Sequence, residues 1–246
     1  MNKIIRRSRY CFLPLLLLLF TVILLSQPRW LFTFTSHFFP GALYAVPRAD
    51  SQPKVIALTI DDGPSSATLE ILAVLERYEA RATFFNISGN LSGHEATVQQ
   101  SVDFGHELGN HLTADEPSIL LDIKTFESDL VAAENALLPY LPPDSRLFWL
   151  RPGMGFYSGD MVEVAQRHGY QLVLGSTFPY DTHVYSTRFA SEFILRTVRS
   201  GDIVVLHDGE KTGKSRGYRT AETLEIILPE LRRRGYQVTT LSELIS

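Results

Sequence analysis

The sequence predicts an α/β fold on a parallel sheet of about seven strands, preceded by an N-terminal membrane segment. Three observations carry that prediction. From Lys54 onward, short apolar and β-branched runs alternate with stretches of helical spacing, and such alternation implies parallel pairing. The strand runs are near-continuously apolar, as expected when helices cover both faces of a sheet. Before Lys54, a cluster of basic residues is followed by an uncharged apolar run. A barrel-like closure and an open doubly wound sheet both fit this pattern. No Gly-x-Gly-x-x-Gly follows the first strand, so a dinucleotide-binding fold loses support.

The elements follow in order. Lys3, Arg6, Arg7 and Arg9 precede an apolar run from Tyr10 to Leu25, the pattern of a signal peptide or signal anchor. No small-x-small cleavage site follows Leu25, which favours a retained anchor with the basic tip in the cytoplasm and the rest outside it. Trp30, Phe32 and Phe34 suit a membrane–water interface. Residues 1–53 are therefore read as tip, membrane segment and linker, and 54–246 as the folded domain. Its predicted strands are KVIALTID, ATFFNIS, HELGNH, RLFWLRPG, YQLVLGSTF, DIVVLHDG and the closing YQVTTLSEL. Between them lie helices such as SATLEILAVLERYEA, with Leu69, Leu72 and Leu75 on one side, and EATVQQSVDFG, closing at Gly105. A long helix is expected from Ser118, which follows Pro117 and suits an N-cap.

Composition narrows the function. The chain has 246 residues, 45% of them apolar, so a packed core is expected. A formal net charge of -4 gives no reason to expect nucleic acid as a partner. Cys11 is the only cysteine, which excludes an intrachain disulfide.

In parallel α/β folds the site lies at the carboxyl ends of the strands. Distinctive polar residues fall at those ends: Asp61 and Asp62 after the first, His111 with Asp115 after the third, Arg151 after the fourth, Asp181 beyond the fifth and His207 at the sixth. Two adjacent carboxylates where a buried strand stops are costly unless a cation compensates them. Asp, His and a third carboxylate are ligands for a divalent ion such as Zn²⁺, which acidifies a bound water and polarises a carbonyl. One aspartate then binds metal, its neighbour serves as base, and a histidine opposite protonates the leaving nitrogen.

Taken together, TIDDGP, ATFF, GHELGNH, RPGMG, VLHDG and the closing ILPELRRRGYQVTTLSEL resemble, in their order, the polysaccharide deacetylases with a NodB homology domain, which are metal-dependent carbohydrate esterases. The resemblance runs from about Lys54 to Ser246 and implies a distorted parallel (β/α) barrel. It implies Asp61 as general base, Asp62 and His111 as metal ligands, and Arg151 as the residue holding Asp61. It also implies an oxyanion site at the backbone N–H groups near Gly153 and Met154, Leu206 against the acetyl methyl, and His207 as general acid. Two departures stand out. HLTAD replaces the family's His-(Ser/Thr)-x-x-His, so Leu112 stands for the hydroxyl residue and Asp115 for the second histidine ligand. YDTH replaces an Asp-Trp pair, leaving Asp181 to tune His207 with no groove tryptophan beside it. The expected function is removal of N-acetyl groups from an extracytoplasmic polysaccharide, chitin-like or peptidoglycan. The competing readings are a non-catalytic carbohydrate-binding relative with an altered metal site, and an amidohydrolase acting on a small molecule.

Overall fold

The computed structural model describes residues 14–23, 26–49, 51–209 and 216–246. Its centre is a parallel sheet of eight strands: β1 (Ala42–Leu43), β2 (Lys54–Gly63), β3 (Thr83–Asn86), β4 (Glu107–Asn110), β5 (Trp149–Leu150), β6 (Gln171–Val173), β7 (Ile203–His207) and β8 (Tyr236–Thr239). They run in the order β1-β6-β5-β4-β3-β2-β7, and β8 pairs with the first half of β2. A parallel bridge between Thr177 and Val204, flanked by a 3.0 Å bond from the Val205 N–H to the Thr177 carbonyl, ties the chain beyond β6 to β7. The sheet therefore curls back on itself, and the barrel-like alternative prevails over the open sheet.

The helices are α1 (Arg29–Phe38), α2 (Thr68–Arg77), α3 (Glu95–Asp103), α4 (Ile123–Leu137), α5 (Gly159–Arg167), α6 (Thr187–Thr197), α7 (Arg216–Arg233) and α8 (Leu241–Ile245). Strand alternation sorts β2 between two cores. Ile56, Leu58 and Ile60 join the larger core with Ile71, Leu72 and Leu75 of α2 and Leu224 and Ile227 of α7. Val55 and Ala57 join a smaller one with Phe85, Trp149, Val173 and Ile203, all contributed by other strands. This second cluster is the interior of the curl. Thr59 and Asp61 continue its parity, so Asp61 points into the interior's upper end.

Three sequence expectations change. The sheet starts before Lys54: β1 pairs with β6, the Val46 N–H donates to the Gly201 carbonyl at 2.8 Å, and Arg48 reaches the Leu244 carbonyl at 2.7 Å. Two strand residues are too few for periodicity to reveal. The long helix starts after Asp122, whose side chain accepts from the N–H groups of Lys124 and Thr125, and not at Ser118. Ser118 begins a separate short 3₁₀ turn. At the carboxyl end the predicted strand stops at Thr239, and Thr240 caps α8.

Among the described residues, no helix is long and apolar enough to cross a membrane. The predicted anchor is described only in its middle, as helical residues 14–23; residues 1–13, with Cys11, and residues 24 and 25 lie outside the described residues. Leu15 to Phe20, Trp30, Phe34 and Phe38 are exposed, whereas Phe32 packs near Tyr44 at 6.1 Å. Arg29 holds α1 to the domain through the buried carboxylate of Asp202, 2.9 Å away.

Candidate active site

Neighbouring residues of a regular strand point to opposite faces, so Asp61 and Asp62 would diverge. A bulge prevents it. The pairing of β2 with β3 shifts between Asp61 and Gly63, and Asp62 takes a left-handed backbone conformation, φ 67°. Such a bulge re-aims a side chain, and a non-glycine residue holds that conformation only where its surroundings enforce it. Leu112, Met154 and Tyr180, at the ends of other strands around the same mouth, also have positive φ.

Asp61 is 3% exposed and is gripped by Arg151. The guanidinium donates to Asp61 Oδ1 at 2.5 Å, to Thr59 Oγ1 at 2.8 Å and to the carbonyls of Val173 and Leu174, and it stacks 4.2 Å from the Phe85 ring centroid. Burial by itself lowers the Arg151 pKa and Asp61 opposes that shift. Each of the three guanidinium nitrogens of Arg151 has a partner, so the carboxylate is held in one orientation.

His111 sits opposite Asp62. Its Nδ1 lies 2.7 Å from the Arg151 carbonyl, which only accepts, so Nδ1 carries a proton. In the neutral ring the Nε2 lone pair then faces Asp62 Oδ1, 3.3 Å away. Two acceptors facing each other call for a shared cation or a second ring proton, and without a metal ion the second proton is favoured. Burial opposes it, but the bond to Asp62 and the charges of both aspartates raise the His111 pKa. Burial likewise pushes the Asp62 carboxyl up, and His111, His207 and Arg216 together outweigh it and hold it well below the usual range. The two donors fit a divalent ion, with the ring oriented by a backbone carbonyl as metal-binding histidines commonly are. Asp115 does not complete the set. It is half-buried, and among the described residues no group of three or more His, Cys, Asp or Glu side chains is arranged to hold a metal.

His207 lies beside Asp61: the two are paired in register across β2 and β7. Asp181 accepts from both the His207 backbone N–H and its Nδ1, each at 2.9 Å. Burial alone would lower this imidazole, but the Asp181 charge and hydrogen bond, with Asp61 and Asp62 beyond, raise its pKa to about 9. Nε2 is thereby the nitrogen left for chemistry, and it is protonated at neutral pH.

The structure treats the remaining predicted residues differently. Leu206 has no exposed surface and belongs to the larger core, so it is not presented to the cleft. The Gly153 N–H donates to Ser118 Oγ at 2.6 Å, so Ser118 supports the RPGMG turn instead of capping a helix. Only glycine fits at 153, because a Cβ there would lie 2.0 Å from the Glu116 carbonyl oxygen. Met154 is 56% exposed beside it.

Two functional neighbours were not singled out from the sequence. Asp208 is fully buried, accepts from Ser65 at 2.5 Å and from Thr68, and donates its own N–H to the Asp61 carbonyl. It fastens the DDGP turn to β7, and α7 comes so close that a Cβ at Gly217 would lie 2.2 Å from Asp208 Oδ1. Arg216, 6% exposed, bonds to Asp62 Oδ2 through Nη1 at 3.0 Å. The VLHDG motif itself signals Asp208. Nothing in spacing or periodicity signals Arg216.

The chain can now be set beside known proteins. The sequence profile of the family described as polysaccharide deacetylase matches residues 48–173. A peptidoglycan-N-acetylglucosamine deacetylase of Bacillus cereus is 33% identical over 205 residues, covering 82% of this chain and 93% of the relative. A chitooligosaccharide deacetylase of Sinorhizobium fredii is 28% identical over 208 residues, covering 82% and 96%. A CE4-family pseudoenzyme from Bacillus anthracis shares the fold, with a TM-score of 0.73 at 20% identity, covering 84% of this chain and 69% of that one. The profile and the Bacillus cereus relative between them settle the family: this chain belongs to the polysaccharide deacetylases.

Proposed function

We propose that this protein hydrolyses the N-acetyl groups of N-acetylglucosamine units in an extracytoplasmic polysaccharide, of the peptidoglycan or chitin-like kind that its relatives' names specify. The observation that carries the reading is the pairing of two separately supported groups, Asp61 fixed by Arg151 and His207 fixed by Asp181, on adjacent strands. Binding alone needs neither a held base nor a protonated acid; amide hydrolysis needs both.

Asp62 and His111 would hold a divalent ion, most simply Zn²⁺, and such an ion would supply an acidified water and a polarised acetyl carbonyl. Asp61 takes the attacking water's proton on the oxygen that Arg151 leaves open. The Met154 N–H is the oxyanion donor of this site, since the Gly153 N–H already serves Ser118. His207 Nε2 gives its proton to the amine as the C–N bond breaks, and Asp181 stabilises the imidazolium until it does. Asp115 would add a further oxygen ligand to such an ion. The exposed apolar residues 15–20, with Trp30, Phe34 and Phe38, support attachment of residues 1–53 to a membrane, with the domain beyond residue 53 outside the cytoplasm.

The test is acetate release from a chain-length series of N-acetylglucosamine oligomers and from peptidoglycan, by wild type, Asp61→Asn and His207→Ala, with and without added Zn²⁺. The proposal expects turnover that rises with chain length and falls by about 10²-fold or more in each variant. Carbohydrate binding without acetate release under any of these conditions supports the non-catalytic reading instead.

A further inference from the structure

The two oxygens of Asp62 have different partners. Oδ1 faces His111 Nε2 at 3.3 Å, and Oδ2 is taken by Arg216 Nη1 at 3.0 Å. Arg216 is the first residue of α7, and its backbone N–H is bonded to the Gly209 carbonyl at 3.0 Å, which pins the side chain's root beside the site. The guanidinium is buried, its Nε has no hydrogen-bond partner, and Asp62 is the one carboxylate it reaches among the described residues. A buried cation on a proposed metal ligand is a competing charge, not a neutral support.

Resting on the metal-site reading above, we propose that Arg216 is a built-in competitor for divalent cations. It neutralises the Asp62 carboxylate and withdraws Oδ2 from coordination, so the site takes up metal weakly and reversibly. A fixed positive charge a few ångströms from a divalent ion repels it strongly even at an effective dielectric constant of about 20. Asp62 Oδ1 and His111 Nε2 would remain the groups available to hold the ion, because Arg216 occupies Asp62 Oδ2.

The experiment is calorimetric titration of Zn²⁺ and Mn²⁺ into the full chain as wild type, Arg216→Gln, Arg216→Lys and Asp62→Asn, with metal-free melting curves alongside. Removing the charge in Arg216→Gln is expected to tighten Zn²⁺ binding by about tenfold or more. Arg216→Lys, which keeps the charge, is expected to stay near wild type, and Asp62→Asn to lose binding. Wild-type binding with equal or weaker affinity in Arg216→Gln overturns the competitor role and leaves the metal site standing. Absence of Zn²⁺ binding in both proteins overturns the metal site and this inference together. Should Arg216→Gln fail to fold, the wild type still decides: the Arg216 Nε–H resonance is expected to move in step with Zn²⁺ addition, and an unmoved resonance refutes the idea.

Discussion

Replacing Asp181 by Asn tests the acid assignment through pH. The His207 imidazole is lifted from 6.5 to about 9 against a burial effect that pushes it the other way. At 1.36 kcal/mol per unit, the net favouring of the imidazolium is about 3 kcal/mol, so the neighbouring carboxylates, Asp181 first among them, contribute more than that against burial. Asn keeps an oxygen that accepts from Nδ1 or from the backbone N–H but removes the charge. Burial is then opposed only by Asp61 and Asp62. A general acid must carry its proton, so activity persists below its pKa and is lost as pH rises through it. The alkaline limb of kcat is therefore expected to move down by about one unit or more in Asp181→Asn, a tenfold or greater loss near the wild-type pKa, with little change in mild acid. Acetate release from about pH 5 to about pH 10 reads the limb, and the imidazole carbon-bound proton resonance of His207 reads the same titration without turnover. Coincident alkaline limbs in the two proteins would show that Asp181 does not set the acid.

The supporting contacts give further expectations. Arg151→Met leaves the Asp61 carboxylate buried without its partner, which costs about 3–5 kcal/mol, so the melting temperature falls steeply along with turnover; an unchanged melting temperature contradicts the ion pair's role. Gly153→Ala forces the RPGMG turn away from the Glu116 carbonyl, and a loss of about 1–3 kcal/mol with a larger loss in kcat than in KM is expected; chemical denaturation and steady-state kinetics measure both. A protein beginning at Lys54 lacks β1 and the Val46 and Arg48 contacts, and it is expected to melt about 3 °C or more below one beginning at Gly41. Equal melting temperatures would mean that residues 41–53 add nothing to the fold.

What the sequence reveals of this site depends on the kind of signal each residue leaves. Asp61, Asp62, His111, Arg151 and His207 were legible because each ends an apolar run, and strand ends converge in parallel α/β folds. Asp181 lies eight residues past Val173, yet its TFPYDTH segment leads it back to β7. The bulge at Asp62 was not legible, since it depends on how β2 registers with β3 and on no local pattern. Ser118 and Asp122 are both good caps four residues apart, and only packing decides that the first supports Gly153 and the second starts α4. Closure of the sheet rests on isolated bridges at Thr177 and Ala45, pairings too short for periodicity to register. Arg216 is one basic residue among several in EKTGKSRGYR, and its partner lies more than 150 positions away.

The in-register pairing of Asp61 with His207 has a geometric consequence for catalysis. Adjacent strands stand about 4.8 Å apart, a spacing fixed by backbone hydrogen bonds and not by side-chain choice. In the proposed mechanism, the backbone positions that carry the proton acceptor and the proton donor are thus set by the sheet. The two backbone positions cannot separate without breaking the ladder between β2 and β7. Accommodation of different sugars must therefore come from the rim, from the segments after β4, β5 and β6. The chemistry stays at a single gauge while the rim is left to vary.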